Sequence, residues 1–542
     1  MDSTKYNDVQ EFILEKLKTT LNIEEVDENL SFYDHGGDSL TFVIFVSEVL
    51  NQFDQDLSDI KLSGIQPLGQ IFSLFNTSSQ SSNSHHESLS INEDKINNGN
   101  ILESYIPVTA NRYSYLLKMN SGIEQWIVHS PVYEFSKKIT SENLSAAYNL
   151  VQQKFDGLRL KVEYSDGKFE QYFSDDNAKI VEISIDQSFT NSQIKDSIIE
   201  YIKNLRQQLS LSNNMILLLV NDNVNKKSYV VLVFHHILLD SVSLREVEKE
   251  LIDLLVTNRE SFFNNNRIVK SYREYCSEYI QRCEKLAHNS SSYWSSLPWP
   301  YVRSTPLDFE ENGVQLSHDW TKECKLEFDG HKFDLAVKAL AKNSNMSISN
   351  IVLVALSKAY SKWSGLEYML LDLAHHGRVA EQGMVDFAKT VGWINETVPI
   401  IFNTKLSDLD LIRETKEQLT RMSVEASLFN YCKYLSKDTT ISKQFSSYPN
   451  ADISLNIELT HSESKIIPST VKIHSWSVEK GIGNRVHQIA GGVVRKNESF
   501  FLQLDYNSTA FKEGRVEDLL ELWGSEFVSL LNQFSKVNLI GA

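Results

Sequence analysis

Residues 230–241 constrain the fold of this chain more than any other stretch. They begin with five consecutive apolar residues, three of them valine, which predicts a strand buried on both faces. His235 and His236 end the run, and Asp240 follows four residues after the second histidine. Because neighbouring side chains on an extended chain point in opposite directions, only one of the two histidines can face a given cavity. The sequence therefore predicts an imidazole held at a rigid strand end.

A helix is predicted directly after this strand. Ser241 and Ser243 can cap it, since a hydroxyl near a helix start accepts hydrogen bonds from free backbone N–H groups. Its apolar face is formed by Leu244, Val247, Leu251, Leu254 and Leu255.

Length and charge limit the class of protein. A chain of 542 residues predicts two to four domains. The net charge of −18 argues against a nucleic-acid partner. No apolar run is long enough to span a membrane, and the start lacks the pattern of a signal peptide. The four cysteines have no metal-ligand spacing, which predicts no metal and a reduced, cytoplasmic location.

Composition divides the chain into four parts. Residues 1–77 predict a small all-α domain, a four-helix bundle whose acidic surface suits docking onto basic partner proteins. Residues 78–100 are rich in Ser, Asn, Gln and His and predict a flexible linker. Residues 101–265 and 266–542 each predict a mixed α/β unit, with a single long helical stretch over 331–364 in the second.

Ser39 is the notable residue of the first domain. A serine at a predicted helix start is most often only an N-cap. Here Asp38 places a carboxylate beside the hydroxyl, and two glycines precede it. Residues 36–40, Gly-Gly-Asp-Ser-Leu, resemble the phosphopantetheine attachment site of acyl and peptidyl carrier proteins. The resemblance implies that a phosphopantetheinyl transferase attaches 4′-phosphopantetheine to Ser39.

The stretch at 235–241 resembles the HHxxxDG motif of the condensation superfamily of nonribosomal peptide synthetases, with Ser241 in place of glycine. That superfamily includes epimerization domains and is related to chloramphenicol acetyltransferase. The resemblance covers about residues 104–536. It also rests on segments 156–160, 271–275, 293–294, 376–378 and 390–393.

The resemblance implies a V of two chloramphenicol-acetyltransferase-like α/β lobes with a tunnel between them. It implies a catalytic set of His236, His235 and Asp240, in which His236 faces the tunnel. An imidazole titrates near neutrality, so His236 can take a proton from an attacking nucleophile. The resemblance further implies that Asp240 acts structurally, paired with Arg378, and that Trp393 and Asn395 support the site.

The choice of reaction depends on position 374. Residues 371–378 and 389–393 resemble the epimerization branch, which needs a second acid/base group. That branch has a glutamate where this chain has Ala374 and a tyrosine where it has Ile457. Glu381, Glu396 and Glu458 are possible substitutes, but nothing in the sequence directs them at His236. We therefore predict acyl transfer to an amine or hydroxyl, by condensation or release. The alternatives are epimerization and a non-catalytic docking or scaffold module.

The sequence contains no adenylation motif, so the chain is predicted to be loaded by another protein. The predicted partners are the phosphopantetheinyl transferase, an adenylation protein or upstream synthetase or polyketide module, and a downstream carrier or small-molecule nucleophile. The predicted pathway is secondary metabolite biosynthesis.

Overall fold

The structure is a computed structural model of the chain. The described residues are 3–21, 23, 25–32, 35, 41–42, 45–46, 49, 67–77, 106–120, 127–257, 269–309, 314, 317–344, 346–378, 387, 389–458, 468, 470–476, 484–496 and 498–536.

The first domain is helical where it is described. Its helices are α1 (Ser3–Leu21) and α2 (Leu68–Thr77), and residues 41, 42, 45, 46 and 49 are also helical. These elements bury one apolar cluster formed by Ile13, Leu17, Phe32, Phe42, Phe45, Val46, Val49, Leu68, Ile71 and Phe72. Apart from Phe32, which is not helical, its members are spaced as on one face of each helix.

A six-stranded mixed sheet forms the centre of the first α/β lobe. Its strands are β1 (Ile127–His129), β2 (Val132–Phe135), β5 (Lys179–Ile185), β6 (Met215–Asp222), β7 (Lys227–His235) and β12 (Val471–His474). Their order is β12-β2-β7-β6-β5, with β1 paired to β7. The strands between β2 and β5 in sequence, β3 (Leu160–Ser165) and β4 (Lys168–Phe173), form a separate hairpin.

Helices cover both faces of this sheet, which explains the uninterrupted apolar runs of β6 and β7. The helices of this lobe are α3 (Ala110–Asn120), α4 (Ser141–Lys154), α5 (Asn191–Arg206) and α6 (Ser241–Thr257). The long α7 (Tyr272–Ser296) follows them and packs mainly on the second lobe. Ile216 and Val231 pack on α5, whereas Leu217 and Leu232 pack toward α4 and α6.

The second lobe has its own six-stranded sheet. The strands are β8 (Thr321–Asp329), β9 (Tyr368–His375), β10 (Glu396–Asn403), β11 (Ile453–Glu458), β13 (Ile489–Lys496) and β14 (Ser499–Asn507). Their order is β10-β9-β11-β13-β14-β8. The helices are α8 (Gly330–Ser344), α9 (Ile348–Ser364), α10 (Asp408–Tyr434), α11 (Thr439–Ser446) and α12 (Arg515–Ser535).

Helices α8, α9 and α12 pack against one face of the second sheet. Leu371 and Leu373 of β9 point to that face and are buried. Asp372, Ala374 and the adjacent Asn456 of β11 lie on the other face, where they are half-buried or exposed. This polar face is the one that matters for the site.

One strand departs from the division of the lobes at residue 265. Strand β12 comes from the second α/β unit in sequence, but it pairs antiparallel with β2 of the first sheet, from Val471 opposite Phe135 to His474 opposite Val132. The prediction that residues 266–542 form only the C-terminal lobe therefore needs this correction. The two lobes share a sheet as well as an interface.

Two local predictions also differ from the structure. The helical stretch predicted over 331–364 is two helices, because Ser347 caps a new one by accepting from the N–H of Asn350. The cap of α6 is Asp240 instead of a serine. Its carboxylate accepts from the N–H of Ser243 at 2.8 Å, which places Ser241 inside the first turn.

Candidate active site

His235 ends strand β7 and is fully buried. Its Nδ1 accepts a hydrogen bond from the N–H of Ile237 at 3.2 Å, so the ring hydrogen lies on Nε2. Burial, together with the nearby His236 and Arg112, lowers the pKa of His235 to about 3. An imidazole in this state stays neutral near pH 7 and holds the shape of the turn.

His236 lies in the turn after β7 and is only partly buried. Its ring centroid is 5.3 Å from that of Trp393, which belongs to the second lobe. Trp393 in turn packs edge-on against Tyr115 of α3 with centroids 4.9 Å apart. His236 is therefore the histidine of the pair that faces the other lobe.

Asp240 and Arg378 join the two lobes through a buried ion pair, the pairing that the resemblance implies. The two guanidinium NH groups of Arg378 donate to the two carboxylate oxygens at 2.9 and 3.0 Å. The N–H of Ile394 donates to the same carboxylate at 2.9 Å. Burial alone would raise the pKa of Asp240, but the charge and hydrogen bonds of Arg378 hold it below its ordinary value.

The loop around Trp393 is fixed against α6 by Ser243. Its hydroxyl donates to the carbonyl of Gly392 at 2.7 Å and accepts from Arg378. Gly377 has φ +69°, and a Cβ there would lie 1.9 Å from the carbonyl oxygen of Ile394. Only glycine allows this approach of the two loops.

Asn395 continues this loop. Its backbone N–H lies 3.3 Å from Asp240 Oδ2, and its carbonyl accepts from the side chain of Asn111 at 2.8 Å. The loop that carries Trp393 and Asn395 is thus held by the first lobe from two sides. The structure brings His236, Asp240, Arg378, Trp393 and Asn395 together.

The candidates for a second base are not gathered there. Ala374 is exposed on the polar face of β9. Glu396 pairs across the strands with His375, so it lies on the opposite face from Ala374 and is buried. Glu458 lies 3.8 Å from Arg245 of α6, and Glu381 falls outside the described residues.

A cavity of about 400 Å³ lies beside His235 and not beside His236. Its lining consists of Met119, Val162, Glu163, Tyr164, Leu209, Ser210, Leu211, Ser212 and His235.

Ser39 and Asp38 lie outside the described residues. Among the described residues, no group of three His, Cys, Asp or Glu side chains is placed to hold a metal ion. Within the same part of the chain, none of the helices combines the length and the apolar character needed to cross a bilayer.

Sequence reasoning missed the contribution of α3. Arg112, which is 1% exposed, donates to the carbonyl of Ile237 and to Gln171, so it braces the turn that carries His236. Asn111 and Tyr115 of the same helix contact the loop of the second lobe. The segment has only a weak apolar period, so no local signal marked it.

Comparison with known proteins agrees with this architecture. A family profile described as "Condensation domain" matches residues 105–536, and one described as "Phosphopantetheine attachment site" matches residues 10–71. The second profile identifies 4′-phosphopantetheine as the cofactor of the first domain. The helical core described above for that domain fits this assignment.

The curated relatives are large synthetases. Gramicidin S synthase 1 of Brevibacillus brevis is 20% identical over 80% of this chain and 38% of its own length. Bacitracin synthase 3 of Bacillus licheniformis is 20% identical over 81% of this chain and 7% of its own length. The chain therefore spans well under half the length of these relatives.

Solved structures share the two-lobed fold. The epimerization domain from the third module of tyrocidine synthetase B is 13% identical with a TM-score of 0.63, covering 80% of this chain and 99% of that one. The X-domain from teicoplanin biosynthesis has 12% identity, a TM-score of 0.61 and covers 80% and 95%. A chain-releasing condensation domain of the enacyloxin polyketide synthase has 14% identity, a TM-score of 0.58 and covers 81% and 85%. This chain belongs to the condensation domain family of nonribosomal peptide synthetases and carries a phosphopantetheine carrier domain ahead of that domain.

Proposed function

We propose that this chain holds an acyl or aminoacyl group as a phosphopantetheine thioester on Ser39 and transfers it to an amine or hydroxyl nucleophile. The cofactor supplies an electrophilic thioester on a long arm. His236 acts as the general base that takes the proton of the nucleophile as it attacks the carbonyl carbon. Its half-buried position beside Trp393 of the opposite lobe supports this role.

The observation that carries the proposal is the exposed methyl group of Ala374. It occupies the polar face of β9, two residues after Asp372 and four before Arg378. A methyl group cannot exchange a proton, and Glu396 points to the other face. Acyl transfer needs only one such group at the reacting centre, and His236 provides it.

The test is to load Ser39 with a panel of aminoacyl and acyl groups and follow the intact protein by mass spectrometry. We expect the acyl group to leave Ser39 when amines, hydroxyl compounds or a loaded downstream carrier are added. His236→Ala should slow this transfer by about 10²–10⁴-fold, the usual contribution of a positioned base. Product formation unchanged in that variant contradicts the proposal.

Epimerization is the second candidate, favoured by the likeness to the tyrocidine synthetase epimerization domain. Incubation of the loaded protein in D₂O distinguishes it, because epimerization introduces deuterium at Cα. We expect no His236-dependent exchange, and we expect Ala374→Glu to leave product formation no higher. A non-catalytic docking module is the third candidate, since a related X-domain has been solved in complex with OxyB. Absence of both exchange and transfer would favour it.

The partners follow from the same proposal. A phosphopantetheinyl transferase modifies Ser39, beside Asp38, and an adenylation protein or upstream synthetase or polyketide module loads it. A downstream carrier or free small molecule receives the acyl group. These steps belong to the cytoplasm, where coenzyme A and aminoacyl intermediates are formed.

A further inference from the structure

A histidine–carboxylate pair lies on the polar face of the second sheet. His487 Nε2 is 2.9 Å from Asp372 Oδ2, and the two side chains are 14% and 22% exposed. A carboxylate only accepts, so the ring hydrogen lies on Nε2 and the lone pair on Nδ1. The carboxylate orients the imidazole, so Nδ1 is the ring nitrogen that can take a proton.

This pair shares a face with Ala374. Asp372 and Ala374 are two residues apart on β9, so their side chains point the same way and their Cα atoms are separated by about 7 Å. The same strand leads, through Gly377, to Arg378 and its ion pair with Asp240. Asp372 therefore lies on the strand that runs toward the His236 loop.

The pair also borders the contact between the lobes. Burial and the nearby charge of Asp372 raise the pKa of Tyr434, which ends α10, and α10 packs against α3 of the first lobe. Tyr115 of α3 packs on Trp393, which contacts His236. One helix of the first lobe thus touches the surroundings of both histidines.

We propose that Asp372 and His487 receive an amine nucleophile in its ammonium form and remove one proton before it attacks. This inference rests on the proposed acyl transfer and narrows its nucleophile to amines. A hydroxyl compound arrives neutral and needs one base. An ammonium group must lose two protons on the way to an amide, and His236 takes only one at a time.

The proton balance is complete. His487 Nδ1 takes the first proton and leaves a neutral amine. The nitrogen then attacks the thioester carbonyl, forming the C–N bond, and His236 takes the second proton. The C–S bond breaks, and protonated His236 returns its proton to the departing sulfur. His487, which is partly exposed, releases its proton to water.

Other charged groups face the pair. Burial lowers the pKa of Lys433, while Asp372 raises it and Lys118 lowers it further. The ammonium of Lys433 is directed to the side-chain oxygen of Asn450 at 3.0 Å. Arg485 donates through Nε to the backbone carbonyl of His487 at 3.2 Å, and through its two NH groups to Thr321 and the carbonyl of Asp505. The carboxylate of Asp372 is thus not closed off by a guanidinium in the way that Asp240 is.

The test compares two amines of similar size on the loaded full-length chain. Ethylamine is mostly ammonium near pH 7, whereas 2,2,2-trifluoroethylamine is mostly neutral. We expect His487→Asn and Asp372→Asn to slow transfer to ethylamine by about ten- to hundredfold and transfer to trifluoroethylamine by less than about threefold. Raising the pH toward the pKa of ethylamine should restore the variants, because solvent then supplies the free amine.

His474→Asn is the matched control. His474 makes a similar pair with Glu134, at 2.7 Å, but in the first sheet, and its loss should not discriminate between the amines. An equal loss for both amines, or no loss, overturns the inference and leaves acyl transfer standing. Absence of His236-dependent transfer in the unmodified chain overturns the proposed function, and the inference falls with it. Deuterium exchange at Cα that requires His487 would assign the pair to epimerization and overturn the inference.

Discussion

Two carboxylates near the junction of the lobes have nitrogen partners at the same distance and very different surroundings. Asp240 and Arg378 are 2.9 Å apart with side chains only 2% and 1% exposed. Asp372 and His487 are also 2.9 Å apart, with side chains 22% and 14% exposed. Asp240 accepts further hydrogen bonds from Ser243 and the loop at 394–395.

The difference separates a structural pair from one that can do chemistry. A buried, fully hydrogen-bonded ion pair cannot lose one charge without leaving the other buried and unpaired. A partly exposed pair stays in contact with water, so the loss of one partner does not leave a fully buried charge. Burial, more than the chemical type of the pair, decides which carboxylate holds the lobes together.

The largest effect is expected when the buried pair is broken. Arg378→Met leaves Asp240 charged and buried without its cation, which should lower the free energy of unfolding by about 3–5 kcal/mol. Urea titration followed by tryptophan fluorescence measures it, since Trp393 lies in the affected loop. Asp372→Asn is the comparison variant and should cost less than about 1 kcal/mol. Equal losses in the two variants would remove the distinction drawn between the pairs.

Glu396 shows how burial changes the pKa of a carboxylate that has no guanidinium partner like that of Asp240. It is 2% exposed and accepts a hydrogen bond from the side chain of Asn430. Burial raises the pKa of Glu396 to about 8 from its ordinary 4.5, whereas the pKa of Asp240, equally buried, is lowered by Arg378. The folded state therefore binds a proton at Glu396 that the unfolded state has released.

Glu396 should make stability fall as the pH rises from 4.5 to about 8, by about 1.4 kcal/mol per pH unit. The buried His235 and His375 act in the opposite sense, because burial lowers the pKa of His235 to about 3 and that of His375 to about 4. Their contribution rises with pH and is complete near the ordinary histidine pKa of about 6.5. Stability should then fall between about pH 6.5 and 8, by about 2 kcal/mol, and Glu396→Gln should flatten that decline. A decline of unchanged slope in the variant refutes this assignment.

The sequence predicts those parts of the fold and of the site that depend on residues close together in the chain. Strand β7 and the helix after it follow from apolar runs and periodicity, and the opposite orientation of His235 and His236 follows from strand geometry. Arg378 lies 138 residues from Asp240, so their pairing could be expected only from the resemblance to a known family. The pairing of β12 with β2 could not be predicted, because the two strands are more than 300 residues apart in the sequence.

Some errors came from competing local signals. Three residues at the start of α6 can cap a helix, and the sequence does not say which one does. Asp240 is the cap because its carboxylate is already fixed by Arg378 and can accept from the N–H of Ser243. The hydroxyl of Ser243 then binds the carbonyl of Gly392. A tertiary contact thus overrides the preference for serine at the cap.

The smallest expected effect on stability is that of replacing Ser241 at the start of α6, and Ser243 is its comparison. Ser241 is exposed in the first turn, so Ser241→Ala should change the free energy of unfolding by less than about 0.5 kcal/mol. Ser243 is 1% exposed and hydrogen-bonds both Gly392 and Arg378, so Ser243→Ala should cost about 1–3 kcal/mol by leaving buried groups unsatisfied. The same urea titration measures both. A larger loss for Ser241→Ala would mean that Ser241 caps the helix after all and that the buried ion pair supports the junction without help from Ser243.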